Sequence, residues 1–220
     1  MRSYDQCCPV ARALDVIGDR WNLLIVRELL LRDRCRYTDL RHGVPGIATN
    51  LLADRLRDLE RAGVLFSEDA PPPIATSVFA LTERGRALAP VLRELAAWGA
   101  PLLDEDPGGA FRTHWMGLLA EVHLTDNEPE QPPVAVQLDT PEDPMILETV
   151  DGRVRARSGR LQHPDLVLTG DGKLIAGLLS DRVTLAEARR QGLATSGSMA
   201  ALRRIRPHES GRAPAAAALA

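Results

Sequence analysis

Apolar residues recur every third or fourth position through most of the first hundred residues, the period of helices with one buried face. In "CPVARALDVIG", Val10, Leu14 and Ile17 share such a face, and Pro9 stands where a first helical turn tolerates a missing N–H. "RWNLLIVRELLLRD" continues with a stripe of Leu23, Leu24, Val26, Leu30 and Leu31. "RYTDLRHGV" predicts a short helix with Thr38 as its N-cap and Gly43 at its end, and Pro45-Gly46 punctuates the chain after it. The next helix, in "GIATNLLADRLRDLERAGVL", is two-sided. Leu52, Leu56 and Leu59 point inward at about 100° per residue, while Asn50, Asp54, Arg57 and Arg61 lie opposite with Ala53 at the edge, and Gly63 closes it.

Beyond Gly63 the period shortens. "VLFSE" and "SVFAL" read as strands flanking "DAPPPIAT", a hairpin whose long tip three prolines stiffen. Thr82 caps a further helix, "ERGRALAPVLRELAAWG", with Leu88, Val91, Leu92, Leu95 and Trp98 on its apolar side; Pro90 kinks or breaks it. Three helices, a hairpin and a following helix make a mainly α winged helix-turn-helix. In that fold the polar face after Pro45 suits the DNA major groove, where Arg forks onto guanine, Asn onto adenine and an Ala methyl touches thymine. The plainer reading of the same face is an ordinary solvated surface.

"DEDPGGA", Asp104–Ala110, is the natural linker between residues 1–103 and a second domain over 111–206. "FRTHWMGLLAEV" spaces Phe111, Trp115, Leu118, Leu119 and Val122 along one helix face. "VAVQL", "MILETV", "RVRAR" and "DLVLTG" predict a small, mostly antiparallel sheet, with Asp151-Gly152 as a two-residue hairpin turn. Alternation in "RVRAR" places Val154 and Ala156 on one side and the arginines on the other. "KLIAGLLS" and "TLAEARRQ" follow as helices, "LATSG" as a strand and "SMAALRRI" as a last helix, so the second domain is α+β. Residues 207–220, ending "RAPAAAALA", have little to bury and are expected to be a loose tail.

Composition narrows the class. A chain of 220 residues exceeds the commonest domain size, and 45% hydrophobic with 26% charged residues is ordinary for a soluble globular protein. Charge breaks every apolar run short of the roughly 18 residues a membrane span needs, and Asp5, Cys7 and Cys8 interrupt any secretory signal. A cytoplasmic protein without membrane contact is expected. The net charge of −3 is unevenly spread: 14 arginines face 13 acidic residues in the first hundred positions, 13 basic face 17 acidic in the rest. Lys173 is the only lysine, a bias that fits a GC-rich genome as well as a need for bidentate contacts. Three cysteines, Cys7, Cys8 and Cys35, are too few for a disulfide scaffold, and no His cluster offers metal-ligand spacing. Thiolates form most readily near helix N-termini, which makes Cys8 the redox candidate, although idle or buried thiols explain the count more simply.

Taken together, "CPVARALDVIGDRWNLLIVRELL", "RYTDLRHGVPGI", "NLLADRLRDLERAGVL" and "PPPIATSVFALTERGRALAPVLRELAAWG" resemble the HxlR family of bacterial transcriptional regulators. Cys8-Pro9 fits its N-terminal Cys-Pro, Asp19-Arg20-Trp21 its turn, and Leu51 to Glu60 its recognition helix. The resemblance implies a homodimer, paired through terminal helices bearing Val10, Leu14, Leu88, Leu92, Leu95 and Trp98, on a near-palindromic double-stranded DNA operator. It points to Arg36, Thr38, Arg41, Thr49, Asn50, Ala53, Asp54, Arg57, Arg61 and Arg84 as DNA-binding residues. Two departures stand out. Ala48 replaces the usual Ser, leaving Thr49 to cap the recognition helix, and the segment from Ser67 to Ser77 carries Glu68 and Asp69 but no Arg or Lys. Phosphate contacts then fall to Arg32, Arg34, Arg36 and Arg41, and to Arg84 or Arg86.

"DLVLTGDGKLIAGLLSDRVTLAEARRQGLATSGSMAAL" resembles the second half of sterol carrier protein domains, with Gly192 and Gly197 at the family's glycines. That resemblance implies a strand, two helices, a short strand and a final helix closing over an apolar tunnel for a small-molecule effector. Candidate lining residues are Phe111, Trp115, Leu119, Ile146, Leu168, Ile175, Leu178, Leu179 and Met199, each equally suited to plain core. The expected function is a regulator, most often a repressor, whose DNA affinity an apolar metabolite modulates. Its rival is a lipid-binding, small-molecule-binding or protein-interaction module whose helix-turn-helix no longer reads an operator. An enzyme is not expected: His114 and His123 flank Glu121, but no catalytic motif or cofactor fingerprint is present.

Overall fold

A computed structural model describes residues 3–69, 77–104 and 109–207. Its chain divides between Leu92 and Arg93 into two units. In the first come α1 (Pro9–Ile17), α2 (Asn22–Arg32), β1 (Arg34–Arg36), α3 (Tyr37–Gly43), α4 (Thr49–Arg61), β2 (Leu65–Asp69), β3 (Ser77–Leu81) and α5 (Glu83–Arg86). α6 (Ala89–Gly99) carries the point of division. Pro90 breaks the expected single helix into α5 and α6, taking the second position of α6, where its missing N–H costs nothing. Thr82 caps α5, accepting the Gly85 N–H.

α4 buries Leu52, Leu56 and Leu59, as its period requires. α2 behaves differently. Its inward face is Asn22, Ile25, Val26, Glu28 and Leu29, and Leu23, Leu24, Leu30 and Leu31 are only half-buried. The helix is apolar almost all round, so periodicity had no polar side to mark the interior. Glu28 is fully buried; Arg27 donates to its Oε1 through Nη2 at 2.8 Å and to the Gly43 carbonyl at 3.0 Å. A side chain at Gly43 would put a Cβ 2.0 Å from Glu28 Oε2, so the end of α3 tolerates only glycine against this pair. The three-residue strand β1 was not legible in the sequence. It joins the wing to make the order β1-β3-β2, with Cys35 opposite Phe79.

Two helix starts differ from expectation. Arg36, not Thr38, precedes α3, and the Asp39 carboxylate accepts the Arg36 backbone N–H at 2.8 Å. Thr38 lies inside the first turn, two residues too late to cap. Likewise Ala48 is the N-cap of α4 and Thr49 its first residue, so no side chain caps that helix.

The second unit contains a 3-10 turn at Thr113–Trp115, then α7 (Met116–His123), β4 (Leu124–Asp126), β5 (Ala135–Asp139), β6 (Met145–Val150), β7 (Arg153–Ser158), β8 (Leu166–Thr169), α8 (Gly172–Leu179), α9 (Leu185–Arg190), β9 (Ala194–Gly197), α10 (Met199–Arg204) and β10 (Ile205–Pro207). The sheet order is β10-β4-β7-β6-β5-β8-β9; β5 and β8 run parallel and the other neighbours antiparallel. Asp151 and Gly152 turn between β6 and β7 with φ of 50° and 73°, the left-handed pair a tight hairpin needs. One face of the sheet and the helices enclose a core that includes Met116, Ala120, Leu138, Met145, Leu147, Leu168, Ile175, Leu178 and Leu202. Pro207 ends β10, and the remainder of the expected tail lies outside the described residues, as does the wing tip at 70–76.

Candidate nucleic-acid interface

α4 presents the row its spacing promised. Asn50, Asp54, Arg57 and Arg61 are exposed, Thr49 beside them is exposed and Ala53 is half-buried, while the leucines on the far side are sealed in the core. Its first turn is held from α3: the Tyr37 hydroxyl donates to the Thr49 carbonyl at 2.6 Å. At the other end of the helix, Glu60 accepts both the backbone N–H and the hydroxyl of Ser67 on β2. Arg55 pairs with Asp19 before α2 and with Asp58 on α4 itself, so the turn of Asp19, Arg20 and Trp21 is tied to the helix. The Arg20 guanidinium lies 5.2 Å from the centre of the Trp21 ring.

The arginines around this face fall into two groups. Arg57 pairs with Asp54, Arg61 with Asp58, Arg34 with Glu68 of the wing, and Arg86 with Asp33. Arg36, Arg41 and Arg84 are exposed and make no ion pair among the described residues. The first group was partly readable in the sequence, since Asp54 and Asp58 each precede an arginine by three residues, the spacing at which helical side chains meet. Nothing local in the sequence announced the Arg34–Glu68 pair, which depends on β1 and β2 flanking β3.

The residues expected to pair two copies are divided by the structure. Val10, Leu14, Leu95 and Trp98 are exposed, Trp98 by 73%, whereas Leu92 is buried and Leu88 half-buried. The exposed stripe along α6 and the turn after it is Val91, Leu95, Trp98 and Leu102, spaced four, three and four residues apart. Among the cysteines, Cys7 is exposed and Cys8 half-buried at the start of α1. Cys35 is sealed on β1, and burial pushes its thiol up to about 12.

Three of the nine proposed lining residues do not join the others. Leu168, Ile175, Leu178 and Leu179 lie in the second unit's core, with Phe111 and Met199 packed against it. Ile146 is fully buried but points to the opposite sheet face, paired in register with Gln137; Met145 and Leu147 take the inward positions. On α7 the inward residues are Met116 and Ala120, leaving Trp115 and Leu119 outside that cluster. His114 is buried with Nδ1 3.0 Å from Asp143 Oδ2. Among the described residues, no group of three or more His, Cys, Asp and Glu is arranged to hold a metal, and no helix is long and apolar enough to cross a membrane.

A buried leucine face, an exposed row of Asn and Arg, and a following two-stranded wing define a winged helix-turn-helix DNA-binding domain. Residues 16–107 match the family of HxlR-like helix-turn-helix proteins. The uncharacterised HTH-type transcriptional regulator YvaP of Bacillus subtilis is 31% identical over 104 residues, which span 47% of this chain and 95% of YvaP. The HTH-type transcriptional regulator YodB of the same organism is 32% identical over 92 residues, spanning 42% of this chain and 81% of YodB. The solved reduced form of YodB is 31% identical, spans 47% of this chain and all of that one, and superposes with a TM-score of 0.38. The chain belongs to the HxlR-like helix-turn-helix family and is a transcriptional regulator.

Proposed function

We propose that the protein is a repressor that binds a near-palindromic operator as a homodimer, through α4 of each copy, and that an apolar small molecule held by the second unit alters its DNA affinity. The exposed row of Asn50, Asp54, Arg57 and Arg61, backed by a buried leucine face, carries this reading. Base edges are met by this row, and Arg36, Arg41 and Arg84 are the available partners for phosphate. With the wing supplying acid rather than base, it adds no phosphate contacts, and non-specific affinity is modest. The apolar stripe of Val91, Leu95, Trp98 and Leu102, with Val10 and Leu14 on α1, supports pairing of two copies. Exposed large side chains in a row are otherwise costly in a lone monomer.

For the second unit, the succession β8, α8, α9, β9, α10 over an apolar core supports a sterol-carrier-like domain. An effector there acts only to the extent that it prefers one dimer geometry over another, typically by about 1 to 3 kcal/mol. A gel shift of the protein's own promoter tests the DNA reading. Retardation that survives excess competitor DNA supports it, and none at low salt favours a binding module without an operator. Arg57→Ala should weaken operator binding by about 10-fold or more and relax specificity at one base pair; an unchanged footprint and affinity removes Arg57 from the site.

A further inference from the structure

The guanidinium of Arg57 is held along one edge. Its Nε donates to the Ala53 carbonyl at 3.3 Å and its Nη2 to Asp54 Oδ1 at 2.5 Å. Both bonds use the side of the fork formed by Nε and Nη2. The terminal edge, made by Nη1 and the second Nη2 hydrogen, bonds nothing among the described residues. That edge is sufficient for two parallel hydrogen bonds to O6 and N7 of one guanine. Asp54 has no other partner among the described residues, and both side chains remain largely exposed, at 51% and 69%. An exposed ion pair one helical turn long adds little to stability, so folding gives no strong reason for a carboxylate here. Asp58 is a different case: it is mostly buried and shared between Arg55 and Arg61, which makes it part of the scaffold.

We propose that Asp54 is a positioning residue for base recognition. It braces Arg57 from the side so that the arginine offers its terminal fork to a single guanine, and its negative charge keeps phosphate away from that guanidinium. This assignment rests on the regulator reading above and adds how α4 separates its operator from other DNA. A free arginine at the same position would settle on any nearby phosphate, raising affinity for all sequences alike. The pairing therefore exchanges general affinity for selectivity.

The test is selection from a pool of random-sequence duplexes with the full-length protein, comparing wild type, Asp54→Ala, Asp54→Asn, Arg57→Ala and the double variant Asp54→Ala/Arg57→Ala. Wild type is expected to enrich guanine at one position. Asp54→Ala should lower that preference about 10-fold and steepen the dependence of log affinity on log salt by about one, as the released arginine takes a phosphate. Asp54→Asn keeps one acceptor oxygen and should recover part of the preference. In the Arg57→Ala background, Asp54→Ala should change that position no further. Because Asp54 is exposed, unchanged thermal melting separates these effects from misfolding. The assignment alone is overturned if wild type selects a sequence and Asp54→Ala keeps the same preference and salt slope, or loses preference equally without Arg57. If wild type selects no sequence, the regulator reading falls and this assignment with it.

Discussion

The two units bury polar groups for different reasons. In the first, the buried polar side chains among the described residues are Asn22 and Glu28, both on α2. In the second they are Thr113, His114, Asp126, Gln137, Thr140, Thr149 and Arg204, spread over strands, turns and the last helix. Helices satisfy their own backbone groups, so a mostly helical unit asks little of its side chains. Loops crossing the edge of a sheet cannot do this. Gln137 Nε2 donates to the carbonyls of Met145 and Gly159, and its Oε1 accepts the Leu161 N–H. Arg204 forks onto Asp126 at 2.6 and 2.7 Å and also serves the Gln131 and Pro132 carbonyls. The second unit thus depends on a few buried polar side chains that hold irregular backbone, and the first on leucine packing.

The largest test of this contrast truncates one fully buried leucine in each unit. Leu52→Ala and Leu147→Ala should each cost about 2 to 5 kcal/mol. Calorimetry should show each lowering a different unfolding transition; one merged transition lowered by both would mean that the units fold as a single cooperative body. Acid comes next. Hydrogen bonding from Arg204, together with the Glu128 N–H, holds the Asp126 carboxyl below the usual carboxylate range against the opposing effect of burial. A carboxyl whose folded value is lowered stabilises fully above its unfolded value, about 4 for Asp, and that stability is lost as pH falls through the folded value. The second unit's melting temperature should therefore drop below about pH 4. Arg204→Met should flatten that slope while lowering stability at neutral pH, since it strands a buried carboxylate. A slope unchanged by Arg204→Met would remove this pair from the account. The smallest effect is Thr82→Ala, which removes the cap of α5 and should cost about 1 kcal/mol in the first unit's transition alone.

Legibility followed the same division. The leucines of α4, its polar row and the wing strands could be read from the sequence because a two-sided helix and a short hairpin are local patterns. Thr49 failed as a cap by one residue and Thr38 by two, shifts that propensity does not resolve when the chain offers an alternative, as Asp39 does for α3. In the second unit, strands β5 to β8 were legible as short apolar or alternating runs between turn signals, but β4 and β10 were not. Each has three residues and is a strand only because a distant segment lies beside it: β10 beside β4, Asp126 opposite Ile205, and β7 beside β4, Thr125 opposite Arg153. Ile146 was misplaced for a related reason: "MIL" is apolar throughout, and only the register with Gln137 tells which residue turns inward. The side of α6 that carries Leu92, together with Leu88 just before the helix, was likewise indistinguishable by period from the Val91 and Leu95 side. Burial against the rest of the first unit decides it.

By itself, the sequence determined which segments are helices with a leucine face, that two strands follow α4, and that the exposed side of α4 carries Asn and Arg. These are properties of residues close along the chain, where spacing alone fixes geometry. Tertiary structure decided which arginines are held and which are free, which side of a uniformly apolar helix or strand is buried, and that Glu28 and Gly43, or Asp126 and Arg204, would meet. Partners 78 residues apart, as Asp126 and Arg204 are, share no local pattern; they are brought together only when the strands between them pair and the burial of each charge requires the other.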